Sequence, residues 1–258
     1  MIELTFSQNT MEYLLLILVR VASFVSISPF FGQSNTPMRL KVGFSCFVTL
    51  LLFYTLPPQD VSYGTVIEYS VLVIKESIAG ILLGFSAYIC NMVLQLSGKI
   101  IDMEIGISMA QVMDPLTKTQ SSITGTFYYY LVFLLLICSN FHFFLLHAIV
   151  DSFQVIPIGG IMMGNTMYDT FLGFMTNYFI IGFRICLPVF GTIILLNSIL
   201  GIMAKVAPQM NMFAVGMQIK LITGLFVIFV TIGLIPTVAN FIFDQTKSMV
   251  SMMLLGMM

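Results

Sequence analysis

The chain is 258 residues long, 59% hydrophobic and only 8% charged, with a mean hydropathy of +1.03, where soluble domains carry roughly 25% charged residues. Its 10 Lys and Arg against 11 Asp and Glu leave no basic surplus for phosphates, so nucleic acid is excluded as a partner. The shortage of polar surface likewise excludes a disordered chain or a water-solvated globule. Lipid, or other apolar subunits, must serve as the solvent.

Because about 20 apolar residues are needed to cross ~30 Å of hydrocarbon, charge-poor runs define the elements. An all-α, polytopic integral membrane protein is expected, a single helical domain over 1–258 with about six hydrophobic segments: 13–31, 42–56, 77–98, 127–149, 171–204 and 212–243. Glu3 and Glu12 precede the first positive residue, Arg20, so the basic start of a cleavable signal peptide is missing and the first segment is expected to stay in the mature protein. Arg20 interrupts that segment and Pro29 ends it; Pro57-Pro58 closes the second. Arg184 and Pro188 interrupt the fifth, which reads as one kinked helix or two short ones.

Connections alternate in charge. Arg39, Lys41, Lys99, Lys118 and Lys205 occupy 32–41, 97–126 and 205–211, whereas 57–70 and 150–169 carry Asp60, Glu68, Asp151 and Asp169 without a Lys or Arg. Positive loops stay cytoplasmic, which puts both termini on the non-cytoplasmic side, against the sense of Lys75 and Lys247.

One connection is oddly apolar. Over 103–118, Gly106, Ile107, Ser108, Met109, Ala110, Gln111, Val112 and Met113 run into Asp114-Pro115, a composition that a wet turn has no reason to hold. Gly106 permits a reversal, and Asp114-Pro115 favours an extended stop. Irregular backbone at membrane depth survives only inside protein or along a cavity, so a re-entrant apolar plug loop is one reading and a short surface helix the other. Most of the 20 methionines gather in 103–113, 162–167, 203–217 and 249–258. Flexible thioethers suit contacts that re-pack, and serve equally as filler.

Arg20, Arg184 and Lys220 lie in apolar runs, where a charge is expensive and usually meets a partner or a water-filled cavity; pairing within an assembly is the favoured role. His142 and His147, five apart, point about 140° from each other on a helix and cannot share a metal on one face; a hydrogen-bonded interfacial histidine is expected. Lys99, Asp102 and Glu104 read as a solvated helix end. Cys46, Cys90, Cys138 and Cys186 lack ligand spacing and read as small buried apolar groups. HExxH, GxSxG, Walker A and GxGxxG are missing, so no enzyme, cofactor or metal is expected.

Six stretches in order resemble the FliR family, the export-gate subunit of the flagellar type III secretion apparatus, whose injectisome counterparts are called SctT. They are Arg20 with Ser28-Pro29-Phe30-Phe31-Gly32; Gly80 with Leu83-Gly84-Phe85; Gly106-Ile107-Ser108-Met109 to Asp114-Pro115; Asn140 with His142; Asp151-Ser152-Phe153 with Pro157-Ile158-Gly159-Gly160; and Ala207-Pro208-Gln209-Met210-Asn211 with Phe213, Gly216 and Lys220. The resemblance implies a non-enzymatic pore subunit in the bacterial inner membrane and flagellar basal body. It would assemble with FliP and FliQ, beside FlhB and FlhA, and pass unfolded proteins, with Gly106 to Pro115 as resting plug. Asn140, His142, Pro157, Gly159 and Pro208 would be interfacial structural residues. The 105–125 stretch holds no aromatic, so sealing would rest on Met109, Val112 and Met113. An injectisome export subunit, an ion-coupled small-solute transporter built on Arg20 and Arg184, and a pure scaffold are the competing readings.

Overall fold

The computed structural model describes residues 8–33, 35–57, 63–108, 122–161, 165–207, 209 and 211–258. Among these, regular structure is wholly helical: α1 Gln8–Ile27, α2 Met38–Thr55, α3 Val66–Ile105, α4 Ile123–Cys138, α5 Phe141–Val155, α6 Asn165–Val206, α7 Met212–Thr231, a 3-10 turn at Ile232–Leu234, and α8 Ile235–Gly256. Five described stretches are long and apolar enough to cross a membrane, six if the broken pair α4 and α5 counts as one span. The chain is a polytopic all-α membrane protein.

The first five expected runs each begin inside a helix that starts before them, but α1 stops at Ile27 and α2 at Thr55, short of the expected 31 and 56. Glu76 and Asp102 lie inside α3, so 77–98 marks only its middle. The fourth run, 127–149, stops at Cys138 and restarts at Phe141, because Asn140 takes the left-handed conformation at φ 58°, a region that asparagine enters more readily than most residues. The fifth continues as one 42-residue helix with Pro188 inside it. The last run divides at the 3-10 turn, with Pro236 in the first turn of α8, and α8 carries on past Asp244 and Lys247.

Backbone contacts sort the chain into two compact units. The first comprises the described parts of Met1–Cys90, Asn140–Phe174 and Asp244–Met258. Its core has the periodicity of packed helix faces: Leu16, Ile17, Val21 and Phe24 of α1, Phe141, Leu145, Ile149 and Phe153 of α5, and Met249 and Met253 of α8 are buried, as is Met257 just beyond it. Met249, Met253 and Met257 of the last methionine cluster are therefore core filling, while Met252 and Met258 are exposed. α1 and α3 meet through Gly80 and Gly84, where a Cβ would fall on the Arg20 and Phe24 carbonyls, the close approach that a GxxxG spacing allows. After α1 the chain turns through Ser28 to Gly32; Phe31 stacks on Phe44 with ring centres 4.8 Å apart, and Lys41 donates to the Gly32 carbonyl at 3.0 Å.

The second unit comprises the described parts of Asn91–Ser139 and Met175–Phe243. Val93, Leu94, Ile101 and Ile105 of α3, Tyr128, Val132 and Leu136 of α4, and Ile181, Val189 and Ile193 of α6 form its buried core. Much of its apolar surface remains uncovered: Leu195, Ile202, Ile222, Phe226 and Phe229 are all more than half exposed. Cys90 and Cys186 are buried, whereas Cys46 is half-buried and Cys138 exposed, so two of the four cysteines depart from the buried role expected for them.

Candidate functional site

Two polar constructions stand out, one in each unit. In the first, Arg20 of α1 and Glu76 of α3 are both fully buried. Arg20 Nε donates to Glu76 Oε2 at 2.5 Å, and Nη1 donates to the carbonyls of Ser152 at 3.1 Å and Ile156 at 3.0 Å. These are terminal carbonyls of α5, where a helix welcomes a cation. The Phe153 ring lies 4.3 Å from the guanidinium carbon, adding a cation–π contact. The other carboxylate oxygen, Glu76 Oε1, accepts the Gly159 N–H at 2.8 Å, while Lys75 Nζ donates to the Gly159 carbonyl at 3.2 Å.

Gly159 sits at φ 76°, where a side chain would be strained, in the turn that follows Pro157 and is closed by Gly160 N–H to the Pro157 carbonyl at 3.0 Å. One ion pair thus ties α1, α3, the end of α5 and the Pro157–Gly160 turn together. Only Nη2 of Arg20 lacks a partner among the described residues. Sequence reasoning found Arg20 and missed Glu76, which had served merely to mark where the third run began.

In the second unit the construction stands at the feet of the apolar loop. Asp102, in the last turn of α3, is buried, not solvated as its Lys99-Asp102-Glu104 setting implied. Its carboxylate accepts Ser122 Oγ–H at 2.7 Å and Thr124 N–H at 3.3 Å, and it also accepts the Thr124 hydroxyl. Ser122 is the N-cap of α4, its Oγ accepting the Gly125 N–H at 2.8 Å. The free N–H groups and dipole of a helix start favour a carboxylate there. A Cβ on Gly98 would fall on the Gly125 backbone, so α3 and α4 touch main chain to main chain beside the clasp.

Between the feet, Gly106 takes φ 94°, where an added Cβ would meet no described residue within 4 Å, its N–H donating to the Asp102 carbonyl at 3.1 Å, and Ile107 and Ser108 follow, half-buried. The rest of the expected plug, Met109, Ala110, Gln111, Val112, Met113, Asp114 and Pro115, lies outside the described residues, as does Pro208. A cavity of about 390 Å³ opens beside Gly106, and Glu104, Asn197 and Lys220 line it. Lys220 is half-buried there.

Arg184 is exposed on α6 and lines a second, largely apolar cavity of about 320 Å³; Arg20 and Glu76 form the one ion pair among the described residues. The Asn140 carbonyl accepts the Phe143 N–H at 3.0 Å, and Pro157 follows the end of α5. His142 lies against Phe143, ring centres 4.3 Å apart, but its Nδ1 is buried without a hydrogen-bond partner among the described residues. No group of His, Cys, Asp or Glu among the described residues is arranged to hold a metal.

Long apolar helices, each unit holding a buried polar clasp, define a polytopic membrane protein. Residues 11–246 match the family of bacterial export proteins, family 1. The chain is 33% identical to the flagellar biosynthetic protein FliR of Bacillus subtilis, with 90% of each chain covered. It is 28% identical to that of Aquifex aeolicus, with 93% of each covered, and 27% identical to that of Escherichia coli, with 87% of this chain and 84% of the relative covered. The chain belongs to the bacterial export proteins, family 1, as a FliR-family subunit of the flagellar export gate. It is a non-enzymatic membrane component of the flagellar export apparatus. Arg20, on which a small-solute transporter reading leaned, is spent on holding helices together.

Proposed function

We propose that the chain assembles with FliP and FliQ, beside FlhB and FlhA, into a pore in the bacterial inner membrane within the flagellar basal body, with both termini on the non-cytoplasmic side. Unfolded flagellar proteins pass through it, and Gly106 to Pro115 stop it at rest. One observation carries this reading: Asp102 binds Ser122 and Thr124, so the two feet of the apolar loop are held side by side. A loop with fixed feet moves at its tip without unpacking the helices that carry it. Gly106, at φ 94°, supplies the turn at one foot.

The physics of an idle conduit asks for such a part. A pore wide enough for an unfolded chain leaks ions unless an apolar, deformable closure expels water from it. Met109, Val112 and Met113 supply that closure here, parting under an arriving chain and closing behind it. Deleting 106–113 makes resting cells leaky to small ions, and Val112→Asp or Met113→Asp does the same by wetting the constriction. Ion leakage is measured in cells whose export complex is shown to be assembled; leakage equal to the unaltered protein in an assembled Val112→Asp complex refutes the closure role. Crosslinking from position 109 to a stalled export substrate places the loop on the path.

A further inference from the structure

We infer that the groove around Arg184 seats a membrane helix of another protein chain that carries one carboxylate among apolar residues; this rests on the hetero-oligomeric assembly proposed above and names the chemistry of one of its contacts. The groove is walled by Leu94 of α3, Val132 of α4, Ile185 of α6, and Val238 and Phe241 of α8, with Arg184 in its lining. A guanidinium is always charged, and in an apolar setting an unpaired one is expensive. The described residues of this unit offer two carboxylates. Asp102 is committed to Ser122 and Thr124, and Glu104 lines the other cavity; neither forms an ion pair with Arg184.

The surroundings separate a protein carboxylate from a lipid phosphate. A phosphate lies where the hydrocarbon ends, so a cation that meets one has apolar surface on one side only. Exposed apolar side chains flank Arg184 on both sides along α6: Phe179, Ile180 and Phe183 before it, and Leu187, Ile194 and Leu195 after it. A carboxylate in the middle of an apolar helix matches that pattern, and Asp and Glu inside membrane segments take such partners.

The test uses the full chain in its native membrane, with a photo-crosslinking amino acid at Val238 in the groove wall. Irradiated membranes are solubilised, the complex is separated by native electrophoresis, and adducts are mapped by mass spectrometry. The expected adduct is a segment of another chain with Asp or Glu within one helical turn of the attachment point. Its yield falls about tenfold in Arg184→Leu and survives in Arg184→Lys. A phospholipid adduct, an adduct within this chain, a segment without a carboxylate, or an undiminished yield in Arg184→Leu overturns the inference. If Arg184→Leu fails to accumulate, the adduct of the unaltered Arg184 chain decides. A chain that migrates alone refutes the assembly reading as well, whereas a hetero-oligomer whose groove captures only lipid refutes the groove alone.

Discussion

Replacing Glu76 by alanine tests whether the buried ion pair is what holds the first unit together. Both partners are fully buried, and the carboxylate receives Arg20 Nε at 2.5 Å and the Gly159 N–H at 2.8 Å. Removing it leaves a guanidinium in the core without counter-charge, a loss of about 3–5 kcal/mol. The Gly159 N–H also loses its acceptor, which adds about 1–3 kcal/mol. Against the ~5–15 kcal/mol that separates folded from unfolded domains, Glu76→Ala is expected to abolish accumulation of the chain or cut it severely. Glu76→Gln keeps an acceptor for Gly159 but not the charge, and falls between. Arg20→Leu with Glu76→Leu removes both charges and is expected to be milder than either single change, because a buried pair replaced by apolar residues is often near neutral. A double-mutant cycle measured by detergent-titrated unfolding in mixed micelles should return a coupling of about 3 kcal/mol. Coupling below ~1 kcal/mol, with both single variants abundant and motile, would show that Arg20 and Glu76 stand together without depending on each other.

The loop feet and the helix crossing beside them make separate claims. Asp102→Ala strips Ser122 and Thr124 of their shared acceptor; with three hydrogen bonds to a charged group at ~1.5–3 kcal/mol each, a loss of at least about 4 kcal/mol should appear as faster amide exchange over 123–126, with Asp102→Asn affected less. Unchanged exchange there would mean that the N-cap of α4 is held by something else. Gly98→Ala places a carbon on the Gly125 backbone and forces α3 from α4 at a cost of about 1–3 kcal/mol, read as a lower thermal midpoint in detergent; an unshifted midpoint contradicts the crossing.

Apolar content alone disclosed that the chain is a helical membrane protein, because a membrane segment must satisfy its backbone within itself. Where helices end was harder to read. A carboxylate looks the same in a sequence whether it faces water or is pinned under a helix, so Glu76 and Asp244 served as borders and Asp102 as a solvated end, when each lies inside a helix. Arg20 was conspicuous because a charge amid leucines and valines demands a reason; its partner was not, standing at the border of a charge-free run. Ser122 was the one foot of the loop with a local signature, a capping residue ahead of a helix. Its bond to Asp102 joins residues 20 positions apart and leaves no trace in spacing. At Asn140 the break had only the mildest mark, a residue tolerant of the left-handed region.

The length of α3 has a bearing on how the isolated chain will behave. Forty residues rise about 60 Å, and at the ~40° tilt that bounds ordinary membrane helices a ~30 Å hydrocarbon slab accommodates only about 26 of them. The overhang cannot be coated by acyl chains, yet both ends of this rod carry bare greasy side chains, Val66, Ile67 and Val71 at one and Met103 at the other. Purified singly, the polypeptide must therefore hide oily surface from bulk water as well as from headgroups, and a detergent belt of ordinary thickness will leave some of it uncovered.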